Sequence, residues 1–148
     1  MAEHDVQGVE KLLDGFLTAY CSRNIENIAD LVANEDNFVA YGTDSGEDWY
    51  GWDSFRNVTE KLFRAMTEMD WKRGKTKINF SSDGSVAWFA EELDGTFKGA
   101  DEEHKCNFRM TGVAERRGGD WVIVQFHRSV PVAEYAVPYL ETHGVRFD

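Results

Sequence analysis

The sequence predicts an α+β domain in which a curled antiparallel sheet wraps around N-terminal helices. Three observations carry that reading. Apolar residues recur at helical spacing as far as about Met69, long strand-like runs fill the stretch from Lys75 to Val130, and Gly- and Asp-rich turns divide that stretch into two hairpins. Helices first and antiparallel strands after them is an α+β order, because the sheet must bury one face and the helices are there to cover it.

The elements follow in order. Asp5 is placed to cap a first helix running to about Cys21, with Val6, Val9, Leu12, Leu13, Phe16, Leu17 and Tyr20 on one face. Asn24 caps a short second helix buried through Ile25, Ile28, Leu31 and Val32. Asn37 to Thr43 reads as a strand, Asp44-Ser45-Gly46-Glu47 as a turn, and Trp49 to Trp52 as a second extended piece. Asp53 caps a third helix to about Met69, turning Phe55, Val58, Leu62, Phe63 and Met66 inward. Lys75 to Ser81 and Ser85 to Phe97 form one hairpin, and His104 to Arg117 and Asp120 to Val130 form another around Gly118-Gly119.

A length of 148 residues fits one domain spanning residues 1–148, with no repeat or linker. Cys21 and Cys106 stand far apart without metal-type spacing and read as reduced thiols. The acidic start lacks the basic and apolar regions of a signal peptide, and no apolar run is long enough to span a membrane, so a cytoplasmic location is expected. A formal net charge of −11 repels phosphates and argues against nucleic acid or an anionic membrane as partner.

The last hairpin can be read in register. A type I′ turn at Gly118-Gly119 sets Arg117 opposite Asp120, and counting back sets Ile123 against Ala114, Gln125 against Gly112 and His127 against Met110. One face then carries Cys106, Phe108, Met110, Trp121, Ile123, Gln125, His127 and Ser129. The other carries Arg109, Thr111, Val113, Val122, Val124, Phe126 and Arg128. Both faces are partly apolar, so the face left by the helices is expected to meet a second copy, in a homodimer through Val113, Val124 and Phe126.

The run Phe38-Val39-Ala40-Tyr41-Gly42-Thr43-Asp44, followed by Glu47 and Gly51, resembles the first strands of SnoaL-like proteins of the nuclear transport factor 2-like, or cystatin-like cone, superfamily. Val113 to Pro131 resembles the association (hub) domain of the calcium/calmodulin-dependent protein kinases. There the matching residues are Arg116-Arg117, Gly119, Trp121, Val124 and Phe126-His127-Arg128-Ser129. The resemblance covers about Gly8 to Pro131. It implies a cone with an open pocket between helices and curved sheet, and dimers packed through the convex sheet face. The positions that resemble the catalytic ones of steroid isomerases fall near Phe16, Ala40 and Thr111 or Gly112, none of which can act as base or oxyanion donor, so that activity is not expected. The hub's Arg after its Thr is Gly112 here, so an anion pocket built on that Arg does not carry over.

His127, on the mixed face with Phe108, Met110 and Trp121, is the leading candidate for acid–base work or hydrogen bonding. Tyr41, Trp49, Trp52 and Trp88 are candidate aromatic walls. Asp44 and Glu47 lie at a turn within reach of a pocket mouth. One of Glu91 and Glu92 must face inward and needs a cation such as Arg109 or Arg128. No nucleophile motif or phosphate loop is present, and His4, His104, His127 and His143 lack metal-site spacing, so neither metal nor cofactor is expected. The leading functional expectation is a small-molecule-binding cone, its pocket lined by Tyr41, Trp49, Trp88, Phe108, Met110, Trp121 and His127. The alternatives are a cofactor-free isomerase or lyase pairing His127 with a carboxylate such as Asp44, and a hub-like assembly module.

Overall fold

The computed structural model describes residues 4–132, 137–144 and 146. Helix α1 (Val6–Cys21) starts where the sequence places it. The Asp5 carboxylate accepts from the Gly8 N–H at 3.0 Å and from Trp121 Nε1 at 2.9 Å, which ties the helix start to the last strand. Asn24 caps α2 (Ile25–Leu31) through the Asn27 N–H. Two short strands, β1 (Val39–Tyr41) and β2 (Asp48–Tyr50), precede α3 (Trp52–Ala65). Gly51, with φ of +95°, leads into α3 in place of the expected Asp53, and its positive φ turns the chain so that its N–H reaches the Phe38 carbonyl.

The long strands are β3 (Glu68–Phe80), β4 (Val86–Lys98), β5 (Glu103–Arg117) and β6 (Asp120–Ser129), and a short helix α4 (Val137–Thr142) follows. Strand β3 begins earlier than expected and takes Met69 from the predicted third helix. Met69, Trp71 and Arg73 turn inward at alternate positions, a strand period rather than a helical one.

The strand order is β2-β1-β6-β5-β4-β3, antiparallel throughout except that β1 runs parallel to β6. Helix α1 packs on β3 and β6, and α3 on β2, so the helices cover one face of the curved sheet. Tyr20, Phe38, Phe55, Met110, Ile123 and Phe126 fill the space between them.

The last hairpin departs from the expected register midway. Arg117 does pair with Asp120 and Ala114 with Ile123, although only Gly118 takes a positive φ, so the turn is not type I′. Beyond them Val113 pairs with Gln125: Val124 is an extra residue, a β-bulge that shifts every later partner by one. A one-residue shift exchanges the faces. Phe126 and Arg128 therefore point into the cone, and Gln125 and His127 point out, the reverse of the expectation for all four. Phe126, expected at a dimer interface, is 1% exposed and belongs to the core.

Candidate functional site

Strand alternation and the register set one inward-facing row across the sheet: Thr76, Glu91, Met110 and Arg128 lie side by side on β3, β4, β5 and β6. The parallel pairing of Tyr41 with His127 places the next residue, Gly42, beside Arg128. The antiparallel pairing of Tyr41 with Asp48 places Glu47 opposite Gly42, where the Gly42 N–H donates to the Glu47 carbonyl at 2.8 Å. Gly42 has no side chain, and Glu47 fills its place: a Cβ there would collide with Glu47 Oε2. Glu47 thus reaches across a glycine toward Arg128.

Arg128 is the chemical centre of this row. Its guanidinium carbon lies 4.2 Å from the Tyr20 ring centroid and 4.9 Å from that of Phe126, with Phe16, Trp71 and Phe108 between 5.6 and 5.7 Å. Its Nε is buried and has no hydrogen-bond partner, and among the described residues the guanidinium forms no ion pair. Cation–π contacts with aromatic faces contribute about 0.5–2 kcal/mol each. They provide no acceptor for the buried Nε–H, and a buried donor left without an acceptor costs about 1–3 kcal/mol. The indole N–H groups of Trp71 and Trp49 are also buried without acceptors.

Two carboxyls flank the cation. Glu91 is buried, and burial raises its pKa, but Arg73 Nε donates to it at 2.6 Å and opposes the shift. Arg73 in turn donates to Asp14 at 2.6 Å and Glu10 at 2.8 Å on α1, so Glu91 is already satisfied. Burial works against the Arg73 charge, yet these carboxylates hold its pKa above the ordinary arginine value. Among the described residues Glu47 has no such cation in contact. Burial raises its pKa and the neighbouring Asp44 raises it further, while Arg128 pulls it back down. Glu47 is a carboxyl that burial and Asp44 make hold its proton more tightly than an ordinary glutamate, beside a cation able to hold an anion.

The expected pocket residues divide between the two faces. Trp49, Phe108, Met110 and Trp121 face inward and are buried. Tyr41, Trp88 and His127 lie on the outer face. There Trp88 is 47% exposed, and the Tyr41 ring meets His127 edge-on with centroids 5.5 Å apart. Trp88 and His127 share an outer groove of about 330 Å³ with Lys77, Thr111, Val113 and Gln125. His127 is thus on the opposite side of the sheet from Phe108 and Trp121, because the Val124 bulge intervenes. Asp44 sits exposed in the β1–β2 turn. Glu91, not Glu92, is the inward carboxylate, and its partner is Arg73 rather than Arg109 or Arg128. Phe16 and Ala40 are buried apolar core residues. Sequence reasoning missed Arg128, Trp71 and Tyr20 as a group. Their meeting depends on the bulge and on α1 crossing β3 and β6, and neither leaves a local signal.

A model of the SnoaL-like domain matches residues 9–133. The chain belongs to the SnoaL-like family. No curated protein matches it. Among solved structures, an NTF2-like protein of unknown function from Pseudomonas putida KT2440 shares 21% identity over 95% of this chain and 92% of that one, with a TM-score of 0.71. A candidate calcium/calmodulin dependent protein kinase II association domain from Xanthomonas campestris shares 22% over 88% and 91%, with a TM-score of 0.75. A candidate scytalone dehydratase from Novosphingobium aromaticivorans shares 11% over 86% and 85%, with a TM-score of 0.77. At these identities the likeness is one of fold, and this SnoaL-like chain has the cystatin-like, NTF2-like architecture of its neighbours. No helix among the described residues is long and apolar enough to cross a membrane.

Proposed function

We propose that this SnoaL-like protein binds a small organic anion inside the cone, with the anionic group on Arg128 and an apolar, aromatic body against Tyr20, Trp71 and Phe108. The observation that carries this reading is the guanidinium itself, enclosed by rings with its Nε buried and unpartnered. An anion supplies the missing acceptor, and charge-assisted hydrogen bonds are about twice as strong as neutral ones. The pocket differs from the one expected in the sequence: Trp49, Phe108, Met110 and Trp121 belong to the inner wall, while Tyr41, Trp88 and His127 do not. Activities in the names of fold neighbours do not transfer at such identity.

Calorimetric titration at low salt with benzenesulfonate, an aromatic anion, tests the reading. The parent should bind and Arg128→Gln should bind at least about tenfold more weakly, a loss of about 1.4 kcal/mol. Arg128→Gln should fold as well as the parent, since it removes an unpaired charge. Equal binding by the two proteins would overturn the assignment.

A second proposal concerns the outer sheet face, where Trp88 stands exposed among Asn79, Val113 and Gln125. One outward row runs Lys77, Ala90, Thr111, His127, Tyr41, Asp48 across the whole sheet. A two-fold axis along the strands, between β5 and β6, sets that row against itself with Lys77 opposite Asp48 of a second copy. This charge complementarity favours a homodimer through Trp88, Val113 and Gln125 rather than through Phe126.

A further inference from the structure

We propose that Glu47 is the specificity-determining partner of Arg128: it takes a proton and donates a hydrogen bond to an anion held there, so that the site takes up anion and proton together. The inference rests on the Arg128 reading above and adds a second residue and a coupling to it.

The geometry comes from the hairpin. Glu47 and Gly42 are cross-strand partners on the inner face, and Gly42 follows Tyr41, the partner of His127, so it adjoins Arg128. The Glu47 carboxyl occupies the volume a side chain at residue 42 would take. It is therefore the acidic group next to the cation on the β1 side, as Met110 is the apolar neighbour on the β5 side. Glu47 feels the charge of Arg128 without forming an ion pair with it, and Arg128 Nε stays without a hydrogen-bond partner.

The charged groups around Glu47 set the direction of coupling. Asp44, in the same turn, disfavours its ionised form, and the Thr43 N–H favours it. Arg128, from β6, favours the ionised form. Glu91 on β4 is engaged by Arg73 of β3, which also holds Glu10 and Asp14 of α1, so Arg73 is not left as a free cation to oppose protonation of Glu47. Cys106 on β5 remains a thiol, its ionisation disfavoured first by burial. An anion on Arg128 cancels the cation that favours the ionised form of Glu47 and adds a negative charge. Burial and Asp44 then prevail, and a proton from solvent moves onto the carboxylate. The neutral carboxyl becomes a donor where the ionised group would repel the ligand.

Benzenesulfonate keeps its charge between about pH 4.5 and 8, so any pH dependence belongs to the protein. Titration in buffers of different ionisation enthalpy counts the protons taken up on binding. The parent should take up a fraction of a proton per anion, and its affinity should rise toward acid by up to about tenfold per pH unit. Glu47→Gln, which keeps a donor and cannot ionise, should take up no proton and bind with one affinity across the range. His127→Asn, altered on the outer face, should behave as the parent. Arg128-dependent binding without proton uptake, or uptake that persists in Glu47→Gln, overturns the Glu47 assignment alone. Failure of the parent to bind, or unimpaired binding by Arg128→Gln, overturns the Arg128 reading and this inference with it.

Discussion

His127 and Arg128 are chain neighbours with opposite surroundings. His127 meets Tyr41 beside the outer groove, while Arg128 meets five rings inside the cone. The difference in chemistry follows from which face each residue occupies, not from residue type. Glu47 gives a stability prediction at the same scale. Burial raises its pKa in the folded chain, so the folded state holds its proton more tightly than the unfolded state. Stability from this group is present below the ordinary glutamate value and is lost as pH rises through the raised folded value. Glu47→Gln removes that loss. Its stability should equal the parent's near pH 4 and exceed it at pH 7, by less than about 1 kcal/mol because the residue is part-exposed. A lower melting temperature for Glu47→Gln at pH 7 would contradict the direction.

At the scale of elements, two devices join the helices to the sheet besides the Asp5–Trp121 bond. Arg73 on β3 links Glu91 on β4 to Glu10 and Asp14 on α1, with its side chain 11% exposed and that of Glu91 3% exposed. Arg73→Met strands a buried carboxylate and should cost about 3–5 kcal/mol in chemical denaturation. Arg73→Met combined with Glu91→Met should recover most of that loss, since a matched apolar pair leaves no charge unpaired. If the double variant is no more stable than Arg73→Met, the Glu91 contact is not the source of the cost. The second device is the bulge at Val124, which turns Phe126 onto Phe16, Phe38 and Phe55. Phe126→Ala should therefore lower stability by about 3–5 kcal/mol. An interface position would change mass in solution while leaving the fold intact.

At the scale of the molecule, the helices cover one face of the sheet and leave the other with an exposed tryptophan on β4. An exposed aromatic among neutral residues, bordered by Lys77 at one edge and Asp48 at the other, suits a self-complementary contact. Trp88→Glu should yield monomers by light scattering, with secondary structure unchanged by circular dichroism. A mass equal to the parent's would place self-association elsewhere. A dimer of this kind leaves the Arg128 side of the sheet free, so Trp88→Glu should also keep benzenesulfonate binding.

The sequence by itself determined the elements and their order: the Asp5 and Asn24 caps, the helical stripes of α1 and α2, the two hairpins and the pairing of Arg117 with Asp120. These features are local, set by side-chain periodicity and by turn and cap chemistry within a few residues. The resemblance in Phe38 to Asp44 pointed to the right family, and that in Phe126 to Ser129 to the strand that carries Arg128. Only the tertiary structure decided which side of the sheet each of those residues faces. One extra residue at Val124 reverses the alternation, and its insertion is favoured by the packing of Ile123 and Phe126 on the same core, which no period in the chain announces. The neighbours of Arg128 come from α1, β3, β5 and β6, and Glu47 from the β2 hairpin. Their meeting is a property of the cone's curvature and strand order, because a site assembled from distant segments is encoded in how those segments pack.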